Sequence, residues 1–397
     1  MTSGPPPVSP TRADPLIRTP SGGLRARGLG IPLSGTPGPW NAITDVPGVE
    51  VGFTTLIRGE GPLVQGEGPV RTGVTAIHPR GRGGTTDPVQ AGWFSFNGNG
   101  EMTGTVLIEE TGFLSTPILI TNTHSVGAAH AGAIRWLTAR HPSLTQLWAT
   151  PVVAETWDGY LNETNGLHVT DEHALAALDG ARSGPVDEGS VGGGTGMICY
   201  GFKGGSGTAS RRVEIGHTTY TVAVFMQANF GWRPELTIAG VPIGVHIRED
   251  DPLDDVSWLI PPGAGSCITI VATDAPLLPG QCKALARRVP LGLGRTGTTS
   301  SHFSGDIFLA FSTGNPGCVT TGAATILGRP EARESQCWIP WGECDPLFAA
   351  TVFAVEEAVL NVLVANRDMI GVDGHRVPAL PHERVRELLS AHRVTLA

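Results

Sequence analysis

Apolar residues fall in short runs along this chain, and the type of run changes repeatedly. Apolar and β-branched runs predict strands over residues 49–56, 73–77, 105–109, 117–122, 147–155, 213–215, 220–226 and 307–311. Helical spacing of small and apolar residues predicts helices over 125–140, 171–181, 278–288, 345–366 and 381–392. Because strands and helices alternate irregularly, the pattern favours an α+β fold with mixed sheets and helices outside them.

The same pattern divides the chain into an arm and a body. Residues 1–35 are rich in Pro, Ser and Gly, which predicts a flexible or loosely attached arm. Residues 36–397 contain no linker, so we expect them to form a single domain. Within this body, residues 94–100 predict a tight turn that carries aromatic side chains, and Gly216 with His217 suits the turn of a hairpin.

Composition narrows the class of protein. Of the 397 residues 40% are hydrophobic and 16% are charged, which excludes a disordered chain. The net charge of −9, with Lys203 and Lys283 as the only lysines, argues against nucleic acid or an anionic membrane as partner. No signal peptide or apolar run of membrane-spanning length is apparent, and the six cysteines form no C-x-x-C pair. We therefore expect a soluble, reduced, cytoplasmic protein.

Most familiar catalytic motifs are missing. Residues 292–297 match G-x-G-x-x-G, but the polar run that follows is a poor helix start, which speaks against a dinucleotide site. The sequence has no phosphate loop, no G-x-S-x-G nucleophile elbow and no zinc-binding spacing of histidines and cysteines. The sequence therefore favours chemistry without a metal or a cofactor.

One stretch stands out as a candidate for hydroxyl chemistry. A loop of Pro, Gly and Ala over residues 261–265 ends at Ser266, where a β-branched, apolar run begins. A chain that cut itself between Gly265 and Ser266 would look like this. The cut would make Ser266 an N-terminal residue, and such a serine carries its own base. The α-amine has a pKa of about 7.7–8.0, which suits a general base. The alternative is that Ser266 simply begins a strand.

Few residues could support such a serine. Ser304 and Asp306 precede the predicted strand over 307–311, and their spacing places a hydroxyl and a carboxylate on one side of it. Asn229 follows the predicted strand over 220–226 and offers an amide donor at a sheet edge. Taken singly, each of the three could equally be a turn residue.

Taken together, these residues resemble the DmpA family of serine aminopeptidases, which includes L-aminopeptidase/D-esterases and β-aminopeptidases. The similarity covers about residues 43–365 and rests on ordered motifs at 43–49, 72–77, 98–104, 155–162, 227–231, 265–266 with 272–279, and 304–306. The resemblance implies a four-layer αββα sandwich of the N-terminal-nucleophile type, assembled as a homotetramer. It also implies cleavage into residues 1–265 and 266–397, which remain together.

The resemblance assigns a role to each candidate residue. Ser266 would be the nucleophile, Ser304 would bond the new α-amine or relay its proton, and Asp306 would orient that pair. Asn229 and Tyr160 would stabilise the oxyanion or position the carbonyl. The substrate would be a small peptide, amide or ester with a free amino end.

Some assignments remain open at this stage. Either Glu155 or Asp158 would bind the substrate ammonium, and Asp158 could instead be a turn residue. Asp306 stands where the family has a carboxylate, and it is shorter than a glutamate. The acidic loop over 249–255 is longer than is usual in the family, so we expect it to affect access to the site or the rate of processing. The rival hypotheses are a related N-terminal-nucleophile acyltransferase or amide hydrolase, and a catalytically silent binding protein of the same fold.

Overall fold

The computed structural model describes residues 14–140, 148–254, 261, 263–318 and 335–397. Its strands are β1 (Glu50–Arg58), β2 (Val70–His78), β3 (Val89–Gly98), β4 (Phe113–Leu114), β5 (Ile118–Asn122), β6 (Val152–Thr156), β7 (Ile198–Cys199), β8 (Phe202–Lys203), β9 (Gly205–Ile215), β10 (Thr218–Asn229), β11 (Gly265–Thr273), β12 (Ser304–Ser312), β13 (Met369–Ile370) and β14 (Arg376–Val377). The helices are α1 (Thr105–Thr111), α2 (Val126–Arg140), α3 (Asp171–Asp179), α4 (Ile243–His246), α5 (Pro279–Ala286), α6 (Val289–Gly294), α7 (Asp345–Ala365) and α8 (His382–Ala391).

The two large sheets are both mixed. One has the strand order β1-β2-β5-β6, and the other has the order β4-β3-β12-β11-β10-β9. In the first sheet only β5 and β6 run parallel, and in the second only β11 and β12 do so, among the strand pairs that the structure describes. The predicted hairpin is confirmed, since β9 and β10 are antiparallel and turn at Gly216 and His217.

Four layers result from the way that these sheets bury their faces. The inner faces meet in one apolar core, where Ile120 and Ala154 of the smaller sheet pack with Ile268 and Ile270 of β11. Helices α2 and α3 cover the outer face of the smaller sheet, and α5 and α7 cover that of the larger one. The predicted α+β fold, an αββα sandwich with mixed sheets, is therefore confirmed.

Two local predictions are wrong. Residues 105–109 form the start of α1 rather than a strand, and α1 lies between Gly104 and Gly112, which both have left-handed backbone angles. Thr105 and Ile108 are its buried residues, a spacing of three that belongs to a helix. The residues predicted as a tight turn, 94–100, mostly continue β3, which runs to Gly98 and pairs with β12.

The prediction of a flexible arm is also wrong for the described residues of that arm, 14–35. In residues 14–35, Leu29 and Ile31 are buried in the core beneath α7. Arg25 forms a buried ion pair with Glu188 at 2.7 Å, and Arg27 pairs with Glu357 of α7 at 2.8 Å. The Pro- and Gly-rich composition hid these anchors, because a few apolar and cationic residues are enough to fix an irregular segment. Residues 1–13 lie outside the described part of the chain.

Helix α7 is long and apolar enough to cross a membrane by length and composition alone, which the sequence analysis did not anticipate. Most of it is nevertheless buried inside the protein, and it packs against β9, β10 and α6. It also carries Glu356 and Glu357, and Glu357 is bonded to Arg27 and Arg211. These contacts identify α7 as the core helix of the outer layer.

Candidate active site

The Gly265–Ser266 bond lies at the first two residues of β11, between two neighbouring strands. Ser266 is opposite Asn229, the last residue of β10, and Gly265 is opposite Ser304, the first residue of β12. Three of the predicted residues are thus brought to one edge of the larger sheet, although they are far apart in the sequence.

Close packing explains why residue 265 is glycine. A Cβ atom there would lie 1.9 Å from the carbonyl oxygen of Asn229, which is much shorter than any van der Waals contact. A larger residue would therefore push the strand start away from β10. Glycine lets the backbone of residue 265 lie directly against the Asn229 carbonyl.

Ser266 opens into a cavity of about 560 Å³. The residue is only 3% exposed, and its Oγ is buried without a hydrogen-bond partner in the described part of the chain. Side-chain alternation places Ser266 on the inner face of the sheet, as it does Ile268. The cavity is lined by Asn99, Gly100, Glu101, Thr123, Glu155, Trp157, Tyr160, Gly196, Ile198, Asn229, Gly231, Leu253, Pro261, Ala264, Gly265, Ser266 and Phe303.

Asn229 has a fixed orientation beside Ser266. Its Oδ1 accepts a hydrogen bond from the Ile198 N–H at 2.8 Å, and its Nδ2 donates to the Trp157 carbonyl at 3.0 Å. An amide nitrogen has two hydrogens, so one N–H of Asn229 remains for a further acceptor. Since paired residues of antiparallel strands project on the same face, this donor lies on the side of the Ser266 hydroxyl.

Tyr160 lies on another wall of the same cavity. Its ring stacks on His375, with centroids 4.5 Å apart, and its hydroxyl donates to the Pro252 carbonyl at 2.9 Å. Pro252 belongs to the acidic segment that precedes the Gly265–Ser266 bond. The hydrogen bond of the Tyr160 hydroxyl is thus taken up by the acidic segment.

The acidic segment is held over the cavity by arginines. The buried guanidinium of Arg233 donates to the carbonyls of Glu249 and Asp250 and pairs with Asp251 at 4.0 Å. Arg376 pairs with Asp250 at 3.3 Å. Since Leu253 lines the cavity, this segment forms part of its wall. The described part of the predicted loop, residues 249–254, therefore lies next to the site.

Ser304 and Asp306 form a pair on the other face of the sheet. The Ser304 hydroxyl donates to Asp306 Oδ1 at 2.6 Å, and neither residue lines the cavity. The register of β11 and β12 sets Asp306 opposite Cys267, which belongs to the core on the helix side. The pair therefore lies beside the Ser266 backbone rather than beside its Oγ.

The surroundings of Asp306 act on its charge in opposite directions. Burial raises the pKa of the Asp306 carboxyl above its ordinary value. Hydrogen bonds from Ser304, Ser300, Asn97 and the Cys267 backbone lower this pKa, and burial outweighs them. A carboxylate with this many donors is a well-ordered acceptor for the Ser304 proton.

The structure separates the two candidate acids for the substrate ammonium. Glu155 lines the cavity, and burial raises its pKa, although it accepts hydrogen bonds from the Thr123 hydroxyl and the Glu101 N–H. Asp158 does not line the cavity. It is 1% exposed, and its carboxylate accepts hydrogen bonds from Asn122 at 3.0 Å and Asn162 at 3.1 Å.

Several residues around the site were not predicted. Thr123 and Glu101 fix Glu155, Trp157 and Phe303 form apolar walls, and Ser300 and Asn97 hold Asp306. The motifs at 98–104 and 155–162 include or adjoin some of these residues, but nothing in their pattern says where the side chains meet. Among the described residues no three His, Cys, Asp or Glu side chains form a metal-binding group.

An αββα fold with a buried serine at a strand start, beside an amide donor and a carboxylate-bonded serine, is the architecture of the N-terminal-nucleophile hydrolase fold. Over residues 41–377 the chain matches the model of peptidase family S58. β-Peptidyl aminopeptidase BapA from Sphingosinicella microcystinivorans is 50% identical over 380 residues, covering 94% of this chain and 93% of the relative.

Two solved structures are also similar. The L-aminopeptidase D-Ala-esterase/amidase from Ochrobactrum anthropi, described as a variant of the Ntn hydrolase fold, has a TM-score of 0.87 at 47% identity and covers 94% of this chain and 99% of its own. A β-aminopeptidase from Burkholderia sp. has a TM-score of 0.82 at 44% identity and covers 93% and 99%. The chain therefore belongs to peptidase family S58. It is a hydrolase that acts as an aminopeptidase, and the resemblance to the DmpA family is confirmed.

Proposed function

We propose that this protein is a self-processing aminopeptidase that cuts its own Gly265–Ser266 bond and then uses Ser266 as an N-terminal nucleophile. The products would be an α part of 265 residues and a β part of 132 residues (397 − 265). The observation that carries the proposal is the Ser266 Oγ, which is buried in a cavity without a hydrogen-bond partner, next to a glycyl peptide bond at a strand start.

Self-cleavage requires no external reagent except water. The Ser266 Oγ attacks the Gly265 carbonyl carbon, and the C–N bond breaks as the Ser266 nitrogen takes the hydroxyl proton. An ester between Gly265 and Ser266 results, and water hydrolyses it to a Gly265 carboxylate and the free hydroxyl. The α-amine of Ser266 is thus released when the ester forms, and hydrolysis of the ester frees the Ser266 hydroxyl beside it.

Turnover repeats this chemistry on a substrate. The neutral α-amine takes the Oγ proton, Oγ attacks the substrate carbonyl, and the tetrahedral oxyanion accepts hydrogen bonds from Asn229 Nδ2 and Tyr160 Oη. The Tyr160 hydroxyl must first exchange its Pro252 partner for the oxyanion. The protonated amine gives its proton to the leaving group, and water then hydrolyses the acyl-enzyme. The Ser304 hydroxyl donates its hydrogen bond to Asp306, so its oxygen can accept one from the Ser266 ammonium and stabilise that form.

Glu155 is the acid that we propose for binding the substrate ammonium. It lines the cavity that contains Ser266, whereas Asp158 is enclosed by the amides of Asn122 and Asn162. We assign Asp158 a structural role in holding the segment between β6 and Tyr160. An ammonium bound at Glu155 would leave the substrate carbonyl facing Ser266, which makes the enzyme specific for free amino ends.

We further propose peptides with an N-terminal β-amino acid as the preferred substrates. The support is the 50% identity to a β-peptidyl aminopeptidase and the similarity to a β-aminopeptidase structure. A second candidate is release of L-residues or hydrolysis of D-alanyl esters and amides, since the L-aminopeptidase D-Ala-esterase/amidase is 47% identical. The p-nitroanilides of β-homoalanine, L-alanine and D-alanine, compared by kcat/KM, separate these preferences.

We propose that this protein is cytoplasmic and that it assembles as a homotetramer. The DmpA resemblance supports the tetramer, as do the exposed side chains of Ile57, Leu63, Val64 and Ile370. Their segments are joined, because Arg71 bonds the carbonyls of both Arg58 and Ile370. Light scattering coupled to size exclusion gives four times the chain mass of 41.4 kDa if the proposal is right.

One comparison tests the main proposal. The purified wild type is expected to run as two bands and to release p-nitroaniline from an aminoacyl p-nitroanilide. Ser266→Ala is expected to remain one full-length band without activity. A wild type that stays in one piece and is inert would favour the silent binding protein of the same fold. A wild type that instead transfers acyl groups to an amine faster than to water would favour an acyltransferase.

A further inference from the structure

Two residues outside the family motifs, Ser300 and Asn97, hold the Asp306 carboxylate. Its Oδ2 accepts hydrogen bonds from Ser300 Oγ at 2.7 Å and Asn97 Nδ2 at 3.1 Å, so Oδ1 is left for Ser304. Asn97 Nδ2 also donates to Ser300 Oγ at 2.5 Å, which ties the two donors together. Neither Ser300 nor Asn97 lines the cavity, so neither is placed to touch a substrate there.

The backbone of Ser300 points to a role for its hydroxyl. Its φ is +63°, in the left-handed region that residues other than glycine rarely adopt. Glycine would fit this backbone more easily, but it would supply no hydroxyl for Asp306. Such an unfavourable backbone angle persists only where the surroundings hold it, and sites of this kind concentrate near functional groups.

The direction of the Ser304 hydrogen bond depends on this arrangement. A serine hydroxyl has one proton and two acceptor positions. Because the Ser304 proton points to Asp306 Oδ1, the Ser304 oxygen can only accept from other groups, and the Ser266 nitrogen lies on the neighbouring strand. If Asp306 turned away, the Ser304 hydroxyl would be free to donate to that nitrogen and would compete for the lone pair that must take the Oγ proton.

We propose that Ser300 and Asn97 are positioning residues for the Ser266 reaction, because they fix the Asp306 carboxylate so that it keeps the Ser304 proton away from the Ser266 nitrogen. This inference rests on the proposed function, since the nitrogen acts as a base only after the chain is cut. Ser300 and Asn97 would thus be a second pair of residues, after Ser304 and Asp306, on the helix side of the larger sheet. They would act on kcat without touching the substrate.

The test compares Ser300→Gly with Ser300→Asn. Glycine relieves the backbone and removes the hydroxyl, whereas asparagine tolerates a positive φ and restores a donor. For each variant kcat and KM are measured on an aminoacyl p-nitroanilide, per mole of the 132-residue part. We expect Ser300→Gly to lower kcat by roughly tenfold or more with KM within twofold, as misplacement of a catalytic group does, and Ser300→Asn to recover most of the loss. Ser301→Ala is the control, because the Ser301 hydroxyl bonds the Phe303 N–H instead.

Asn97→Ala is the second variant, in case Ser300→Gly fails to fold. It is expected to lower kcat in the same way, and its combination with Ser300→Gly is expected to cost less than the product of the two losses, since both act through one carboxylate. A wild-type kcat in either folded variant, or a rise in KM as large as the fall in kcat, would overturn the inference alone. A wild type that is uncut or inactive would overturn the proposed function and this inference with it.

Discussion

Asn229 and Ser266 face each other at the ends of β10 and β11, and their side chains project into the same cavity. The Asn229 amide is oriented by the Ile198 N–H and the Trp157 carbonyl, so its remaining N–H is fixed before any substrate binds. A donor that needs no reorientation is most effective for an oxyanion, because no energy is lost in organising it during the reaction.

Removing this donor should slow the chemical step. We expect Asn229→Ala to lower kcat by roughly 10²–10³, which corresponds to about 3–4 kcal/mol of transition-state stabilisation. KM should change little, since the ground-state carbonyl binds the donor weakly. Steady-state kinetics on purified, processed enzyme measure this. A loss that appears only in KM would show that Asn229 binds the substrate rather than the oxyanion.

A methyl group at residue 265 should delay self-cleavage. In Gly265→Ala the Cβ would meet the Asn229 carbonyl oxygen, so the strand start must move and the scissile carbonyl with it. We expect processing to slow at least tenfold, because displacement of reacting groups by about 1 Å can cost 10²-fold. Pulse labelling followed by gel electrophoresis gives the rate.

Gly280→Ala in α5 is the matched control for that change. The nearest atom to its Cβ would be in Trp341, at 4.0 Å, which is an ordinary contact. Processing at the wild-type rate is expected for this variant. If Gly265→Ala were processed as fast as Gly280→Ala, the tight contact with Asn229 would not matter for cleavage.

The two acids near β6 should respond differently to neutralisation. Glu155→Gln is expected to raise KM by roughly 10–100-fold for substrates with a free amine, since a hydrogen bond to a charged group contributes about 1.5–3 kcal/mol. Asp158→Asn should leave KM near the wild-type value and lower the free energy of unfolding by about 1–3 kcal/mol, because it brings amide donors against Asn122 and Asn162. The opposite pattern would transfer the ammonium site to Asp158.

Activity should depend on pH through two groups with distinct signatures. The Ser266 amine must be neutral to accept a proton, so kcat should fall as pH decreases through roughly 7.7–8.0. Burial raises the pKa of Glu155, so its charge is lost at a higher pH than for an ordinary glutamate. KM should therefore increase at acid pH in the wild type and stay flat in Glu155→Gln. A kcat that is constant from about pH 5 to 10 would exclude the amine as base.

Much of this molecule follows from its sequence, and the exceptions have physical causes. Short β-branched runs predicted β1, β2, β5, β6, β9, β10 and β12, and the αββα order followed from the family motifs. The alternation of apolar and polar residues could not reveal α1, because its buried residues Thr105 and Ile108 are three positions apart on one helical turn. Nor could it show that Leu29 and Ile31 anchor the arm in the core. Asn97 meets Asp306 from a distant segment, because the register of β3 with β12 sets the two opposite each other. Ser300 is only six residues before Asp306, but nothing in the sequence shows that the loop turns its hydroxyl back onto that carboxylate.

The roles proposed for Glu155 and Asp158 show the same limit of prediction from sequence. Both acids occur in one short motif, and neither composition nor spacing distinguishes them. The difference arises because Glu155 is in β6, where it lies beside Thr123 and the cavity, while Asp158 follows the strand and is enclosed by asparagine side chains. The environment of each side chain, rather than its type, distinguishes the two candidates here.

The mass and N-terminal sequence of the purified chain test the account most directly. We expect two fragments that remain associated, of 265 and 132 residues, and the smaller one should begin Ser-Cys-Ile-Thr. In Ser266→Ala a single chain of 397 residues should remain, without aminopeptidase activity. A wild type that hydrolyses aminoacyl p-nitroanilides as one uncut chain would contradict the account, because the amine that it requires would not exist.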